Sequence, residues 1–427
     1  MSIATYIIGS AIHEMLAMPA GSVDLVVTSP PFLGLRDYLA DDDPMKPHEH
    51  GAVATPLDFV HQLLDTVEAV GHVLAPHGSL VIELGDSMAG SGGAGGDYYE
   101  DGIRAGQPKP AGSAKLARST TKGRRRDGAE QPRTREVHKA GRSYVDPSTQ
   151  RRPGVPAMRS TGTGWPEDKS LAMIPEMLRL AMGYGLVPFS DRTTERWLIR
   201  NVVRWCKPNP SVGDEGDKFR RGANDVLVAT KSPTRYWDKL KARGPSRTDP
   251  SATSPLLDWW ELPTGTYPGQ HHATFPLEFV RPFVETMAPE RVCTTCGEPS
   301  RRLVRRTDEY EAQRGGGDLY ANDGVADRGT GRNGGYVGQG GTKRAGLVSA
   351  QYEHVAWTDC GHDTWRRGVV LDPYAGTGTT LAAANGLGRD ALGIDADRRN
   401  AELAVDRIGP LWLTIQEGHA HDAAIQS

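Results

Sequence analysis

Two stretches of the sequence carry residue types that could do chemistry together. The first is Thr28-Ser29-Pro30-Pro31-Phe32, which cuts short the apolar run beginning at Val23. Two successive prolines offer a ladder no backbone N–H, so the chain must leave the sheet there as a stiff corner. Ser29 and the Pro30 carbonyl are two hydrogen-bond acceptors that can grip the protons of an –NH2 group, and Phe32 offers a flat face for a base. The second stretch is VVLDPYAGTGTT, residues 369–380. Gly376 and Gly378 let the chain turn tightly and let a ligand close on the backbone. Asp395 ends the next apolar run nineteen residues after Gly376, the spacing of an acid that holds two ribose hydroxyls. The loop lacks GxGxxG, and Asp372 ahead of it would repel a pyrophosphate while pairing with an ammonium group. That favours S-adenosylmethionine over a nicotinamide dinucleotide.

An exocyclic base amine is a poor nucleophile because its lone pair is delocalised into the ring. Two acceptors on its protons turn that lone pair toward a sulfonium methyl, and proximity supplies much of the acceleration. The base must leave the helix to reach such a corner, and stacking on Phe32 offsets its unstacking. Carbon-5 methylation needs an attacking thiolate instead. Cys206, in Trp205-Cys206-Lys207, has no Pro-Cys turn to present it and reads as a strand-end residue. Cys293-Thr294-Thr295-Cys296-Gly297 and Cys360-Gly361-His362 form two half-sites, 64 residues apart. Three thiolates and one imidazole make a closed tetrahedral set, the pattern of structural zinc.

The elements that position these groups read as alternating strands and helices, the unit of a parallel sheet. Strands are expected at 3–8, 23–28, 79–84, 197–205, 225–230, 369–371 and 391–394. Helices are expected at 11–18, 57–74, 168–182 and 277–287, with two more after Gly378 and Asp395. Pro76-His77-Gly78 reads as a turn before the strand at 79–84. In an open sheet of this kind, ligands sit outside the carboxyl ends of neighbouring strands. If the strand ending at Thr28 lies beside the one ending at Asp372, the Ser-Pro-Pro-Phe corner faces the methyl donor.

The bulk composition allows one large domain with insertions, or two. The 427 residues are 37% hydrophobic, with 51 glycines, 30 prolines and a net charge of −3. No global positive field announces a nucleic-acid partner. Residues 89–165 read as a flexible basic insertion, with an excess of about nine positive charges between 114 and 160. It is either a solvated loop or a polycationic arm that follows phosphates. A second Gly-rich insertion fills 311–350. Four cysteines, no basic leader and no apolar run of membrane length lead us to expect a reducing cytoplasm.

The order of the two motifs resembles the amino-methylating DNA methyltransferases of the β class, in which the catalytic motif precedes the cofactor motif. Leu84-Gly85-Asp86-Ser87 is similar to the family's segment after the fifth strand, and Lys207-Pro208-Asn209 to its corner near DNA. His272-Ala273-Thr274-Phe275-Pro276 is similar to the segment that completes the cofactor pocket. The resemblance implies an α/β fold: a circularly permuted, Rossmann-like, seven-stranded and mostly parallel methyltransferase sheet. It assigns Ser29, Pro30, Pro31 and Phe32 to the target base. It assigns Asp372, Pro373, Tyr374, Gly376, Gly378, Thr379, Asp395, Phe275 and Pro276 to S-adenosyl-L-methionine. It also implies double-stranded DNA as substrate, a cognate restriction endonuclease as partner, and a bacterial or phage source. The serine-first motif favours cytosine N4 over adenine N6, and a zinc-bearing DNA-binding protein without catalysis is the remaining alternative. Two departures stand out. Gly9-Ser10 replaces a usual Gly-Asp, and Glu83 replaces a usual asparagine.

The expected organisation is a catalytic half at 1–88 and 166–238, interrupted by the insertion. A target-recognition segment at 239–270 and a cofactor-pocket segment at 271–290 follow. Then come the zinc knuckle with its insertion at 291–366, the cofactor-binding half at 367–410, and a tail at 411–427. Trp259, Trp260 and Tyr267 are either recognition residues or the core of an irregular segment. His271 and His272 read as structural, Asp86 as a turn cap.

Overall fold

The chain VDLVVT is buried at every position, as a strand covered on both faces must be. It forms β2 (Val23–Thr28), preceded by β1 (Ala4–Ile8) and α1 (Ala11–Ala17). The computed structural model describes residues 2–34, 39, 42–89, 164–167, 169–210, 218–246, 252–265, 275–310 and 350–419. The basic insertion lies outside these apart from Ala89, Gly164 and Trp165. Residues 311–349, Tyr267, His271 and His272 lie outside them as well.

After β2 come α2 (Pro56–Val73), β3 (Leu74–Leu84), α3 (Ile174–Tyr184), β4 (Leu198–Cys206) and β5 (Ala223–Thr230). Three short strands follow, β6 (Arg243–Pro245), β7 (Thr253–Pro255) and β8 (Trp259–Glu261), in a segment that reads as irregular from sequence. Next are α4 (Leu277–Met287), β9 (Arg291–Cys293), β10 (Arg302–Arg306), β11 (Tyr352–Trp357) and β12 (Trp365–Arg367). The chain closes with β13 (Val369–Asp372), α5 (Thr379–Gly386), β14 (Asp390–Asp395), α6 (Arg398–Ile408) and β15 (Leu413–Glu417).

These elements divide into two compact units. One holds Met1–Pro30, Leu63–Gly85 and Pro175–Ser427, and the other Pro31–Gln62 and Asp86–Ile174. The first contains a nine-stranded sheet in the order β15-β1-β14-β13-β2-β3-β5-β4-β8. Only β5 runs against the rest. Seven strands were expected, and all seven segments are strands, contiguous in the sheet. The two additions lie at its edges. β8 is three residues long, and in β15 only Leu413 is buried, so neither shows the pattern of a core strand. The tail expected from 411 onward therefore contributes an edge strand.

Two further expectations are corrected. Pro76-His77-Gly78 is not a turn ahead of a strand but a bulge within β3, where Val23 pairs with Leu74 and Leu25 with Ser79. The helix expected at 168–182 begins only at Ile174. Leu171 bridges to Met88 instead, and Lys169 and Met173 have positive φ. Asp86 stops the helix from extending backwards, because its carboxylate accepts from the backbone N–H groups of Met173 and Ile174 at 3.1 and 3.2 Å. On one face of the sheet α4 contributes Phe279 and Phe283, which stack with Trp205 (4.9 Å) and Trp260 (4.8 Å). Trp260 is thus half-buried and packed against the core, while Trp259 is exposed.

Candidate active site

The strands carrying the two motifs are neighbours. β2 and β13 pair in parallel, Leu25 with Val370 and Val26 with Leu371. Their carboxyl ends are tied by a hydrogen bond from Thr28 Oγ1 to Asp372 Oδ1, 2.7 Å long, between residues 344 positions apart. Asp372 also accepts from Thr380 Oγ1 (2.7 Å) and the Tyr374 N–H (3.1 Å). Burial pushes its carboxyl up to about 6, and the donors from Thr380, Thr28 and Tyr374 only partly oppose this. Three of about four lone-pair directions are filled, so one remains for a cation. Asp372 is therefore a strut between strands as well as a candidate ligand.

The loop that follows is held from several sides. Tyr6, buried on β1, donates its phenol proton to the Gly376 carbonyl at 2.8 Å. Gly376 and Gly378 have φ of 50° and 76°. A side chain at Gly378 would meet Ala404, whereas one at Gly376 would enter open space, where a ligand can approach the backbone. Asp395 accepts from the N–H groups of Gly376 and Asp397, both at 2.8 Å, and from Asn400 Nδ2 at 3.1 Å. Burial pushes its carboxyl up to about 6 as well. Arg407 reaches back to Thr377 Oγ1 (2.9 Å) and to Thr379. Pro373 is buried, and the Tyr374 hydroxyl lies 2.7 Å from Thr66 Oγ1. Phe275 stacks on Phe279 at 5.1 Å within the cluster that includes Ala375 and Leu381, and Pro276 caps α4.

At the Ser-Pro-Pro-Phe corner Ser29 donates its hydroxyl proton to Glu83 Oε2 at 2.5 Å. Glu83 is 3% exposed, and Asn224 Nδ2 donates to its other oxygen. Lys207 lies 4.3 Å over the Trp205 ring, its ammonium pulled down by burial with the Glu83 charge opposing. Pro30 is buried at the end of the first unit. Pro31 and Phe32 begin the second, where the Phe32 carbonyl abuts Gly51 so closely that a Cβ there would come within 2.9 Å. Tyr6, Asn224, Asn400 and Arg407 escape a sequence reading because isolated polar residues carry no periodic signal. Glu83 is visible only as an odd residue in the motif.

The four expected metal ligands converge. Ligand atoms of Cys293, Cys296, Cys360 and His362 all lie within 4.8 Å of one another. Tetrahedral zinc at 2.0–2.3 Å from each needs spacings of about 3.5–3.8 Å, so a small contraction suffices. The N–H groups of Thr295 and Cys296 point at Cys293 Sγ at 3.4 and 3.5 Å. Burial raises this thiol, but these N–H groups together with the Cys296 and Cys360 side chains outweigh it and bring the thiol down to about 6. The residues therefore fit the ion. The cluster sits at the amino ends of the strands, away from Asp372. β12 pairs with β9 and leads into β13, and Arg366 of β12 grips Asp24 at the start of β2. Asp24 is wholly buried, and also meets His77 Nε2 at 2.9 Å and the Val369 N–H at 2.7 Å. Burial alone would raise its carboxyl, but the bonds from His77 and Arg366 hold it below the usual range.

Comparison with known proteins finds one family model and several similar chains. A family model described as DNA methylase (N6_N4_Mtase) matches residues 362–406. The type II methyltransferase M.Cfr9I of Citrobacter freundii is 24% identical over 281 residues, 66% of this chain and 71% of its own. M.XycI of Xanthomonas campestris pv. cyanopsidis is 26% identical, over 65% and 70% of the two chains. M.SmaI of Serratia marcescens is 22% identical over 94% of this chain and 89% of its own. Among solved structures, the cytosine-N4-specific PvuII DNA methyltransferase aligns with a TM-score of 0.45 at 13% identity, covering 94% of this chain and 86% of that one. With Thr28, at the head of the Ser-Pro-Pro-Phe corner, hydrogen-bonded to Asp372 ahead of the glycine loop on the adjoining strand, the family match at 362–406 and the type II methyltransferase relatives support an amino-methylating DNA methyltransferase.

Proposed function

We propose that this protein transfers a methyl group from S-adenosyl-L-methionine to the exocyclic amine of a base flipped out of double-stranded DNA, with cytosine N4 the favoured target. The Thr28–Asp372 bond carries the reading, since it sets Ser29 one residue beyond the strand that adjoins the cofactor loop. Open space at Gly376 and two carboxyls pushed up to about 6 fit a cofactor bearing an ammonium and ribose hydroxyls. When bound, that cofactor supplies an electrophilic methyl on sulfur.

The remaining steps belong to the protein. Glu83 takes the Ser29 hydroxyl proton in a hydrogen bond, which turns the Ser29 lone pairs outward to an amine N–H. The Pro30 carbonyl is the second acceptor, and Phe32 is the stacking face. As the new N–C bond forms and the methyl–sulfur bond breaks, its electron pair staying with sulfur, the amine nitrogen would become positive and must lose a proton. Ser29 Oγ accepts it while passing its own proton to Glu83, and Asn224 keeps the carboxylate oriented. The seven inner strands are read as the methyltransferase sheet in permuted chain order. Residues 1–88 and 166–238 are its catalytic half, 271–290 and 367–410 its cofactor half, and 239–270 the target-recognition segment. A cognate endonuclease is the implied partner. Among the described residues no helix is long and apolar enough to cross a membrane.

We further read Cys293, Cys296, Cys360 and His362 as a structural zinc site that clips the Gly-rich insertion beside the cofactor half, because their ligand atoms all lie within 4.8 Å of one another. Digesting methylated DNA to nucleosides and weighing the product decides between N4-methylcytosine and N6-methyladenine. Absence of either from DNA treated with active-site-intact protein and cofactor would overturn the reading. Elemental analysis of the purified protein, expected at one zinc per chain, tests the metal.

A further inference from the structure

Between β4 and β5 the chain turns at the same end of the sheet as Ser29, Glu83 and Asp372. The described residues that lead into β5 are Lys218-Phe219-Arg220-Arg221-Gly222, three cations around one phenylalanine. All four side chains are exposed, and Phe219 is 100% so. Asp214, Glu215 and Asp217 precede the turn and lie outside the described residues. A wholly solvated aromatic ring flanked by cations suits a partner that offers anions beside a flat apolar surface. Duplex DNA offers both wherever a nucleotide has left the stack, with phosphates along the edge and an exposed base-pair face within.

The root of the turn is held by backbone pairing and leads toward Glu83. The Lys207 N–H donates to the Gly222 carbonyl at 2.5 Å, and Cys206 pairs with Ala223. The next residue, Asn224, donates to Glu83, the acceptor of Ser29. β5 and β4 stand two and three strands from β2. At about 4.8 Å per strand, the root lies roughly 10–15 Å from the catalytic corner. That is the reach from a flipped base to the gap it leaves.

We propose that the Lys218–Arg221 turn is a DNA-contacting wedge, with Phe219 stacking into the gap behind the flipped base and the three cations on flanking phosphates. This rests on the proposed action on DNA. The test is fluorescence anisotropy with the full-length protein, on an intact duplex and on the same duplex carrying one abasic site, across a salt series. K218A/R220A/R221A should lower the magnitude of the log–log salt slope by about 2.7, at about 0.9 per lost phosphate contact. Phe219→Ala should leave the slope unchanged yet lose about tenfold of the preference for the abasic duplex. Melting temperature and cofactor affinity should match the parent in both variants. If the triple variant is unstable, Arg220→Ala alone should lower the slope by about 0.9. An unchanged slope in the charge variants, or an unchanged abasic preference in Phe219→Ala, overturns the wedge. A parent protein that binds DNA in this manner but methylates none overturns the enzymatic reading and leaves the wedge standing.

Discussion

Replacing Thr28 by valine exchanges a hydroxyl for a methyl of nearly the same shape at a site 2% exposed. It removes one of three donors to the Asp372 carboxylate, the 2.7 Å bond that joins β2 to β13. A hydrogen bond to a charged group contributes ~1.5–3 kcal/mol, so the ionised form of Asp372 loses that much support. At about 1.4 kcal/mol per pH unit, its titration should move from about 6 to between about 7 and 8. The sign matters. Asp372 and Asp395 lie above the usual 3.8 when folded, so their contribution to stability is fully present below 3.8 and is lost as pH rises through about 6. A bound cation reverses this by favouring the charged form. Cofactor affinity should therefore fall on the acid side of about 6 in the parent, and already near neutrality in Thr28→Val. Thr28→Ser should restore the parent curve. Calorimetric titration with S-adenosylmethionine from pH 5 to pH 8 measures it. Superimposable curves for parent and Thr28→Val would refute the idea that this bond couples the two motifs.

Ser29→Ala and Glu83→Gln should each lower the methyl-transfer rate by roughly 10²- to 10³-fold while cofactor affinity holds, and equal losses in both would contradict their assigned roles. Gly378→Ala should destabilise the protein by ~1–2 kcal/mol in urea, because φ is 76° there and Ala404 stands 3.1 Å from the new Cβ. Asp24→Ala strips His77 and Arg366 of their buried partner and should cost ~3–5 kcal/mol by denaturation. With its carboxyl held low, the Asp24 contribution is present above 3.8 and lost as pH falls below that. That loss should appear as an acid-side drop in melting temperature that the variant lacks. Cys360→Ser, or a strong chelator, should release zinc and lower the melting temperature more than the rate of methyl transfer at low temperature, since the cluster lies at the amino ends of the strands.

The sequence by itself determined the seven inner strands, the bounds of α4, the glycine loop and the order of the two motifs. Each rests on local periodicity or on a run of prolines and glycines, which act within a few residues of themselves. It also singled out Cys293, Cys296, Cys360 and His362, whose ligand atoms the fold brings together, because CxxC and CGH are local patterns. Tertiary structure alone decided that Thr28 meets Asp372, that Ser29 donates to Glu83, and that Asp24 gathers His77, Arg366 and Val369. It decided the edge strands β8 and β15 and the start of α3 at Ile174, where Asp86 outcompetes helical propensity at 168–173. Those outcomes depend on which strands adjoin and in what register. Register is set by the burial of whole faces across hundreds of residues, and a polar side chain in a strand gives no sign of the partner it will find there.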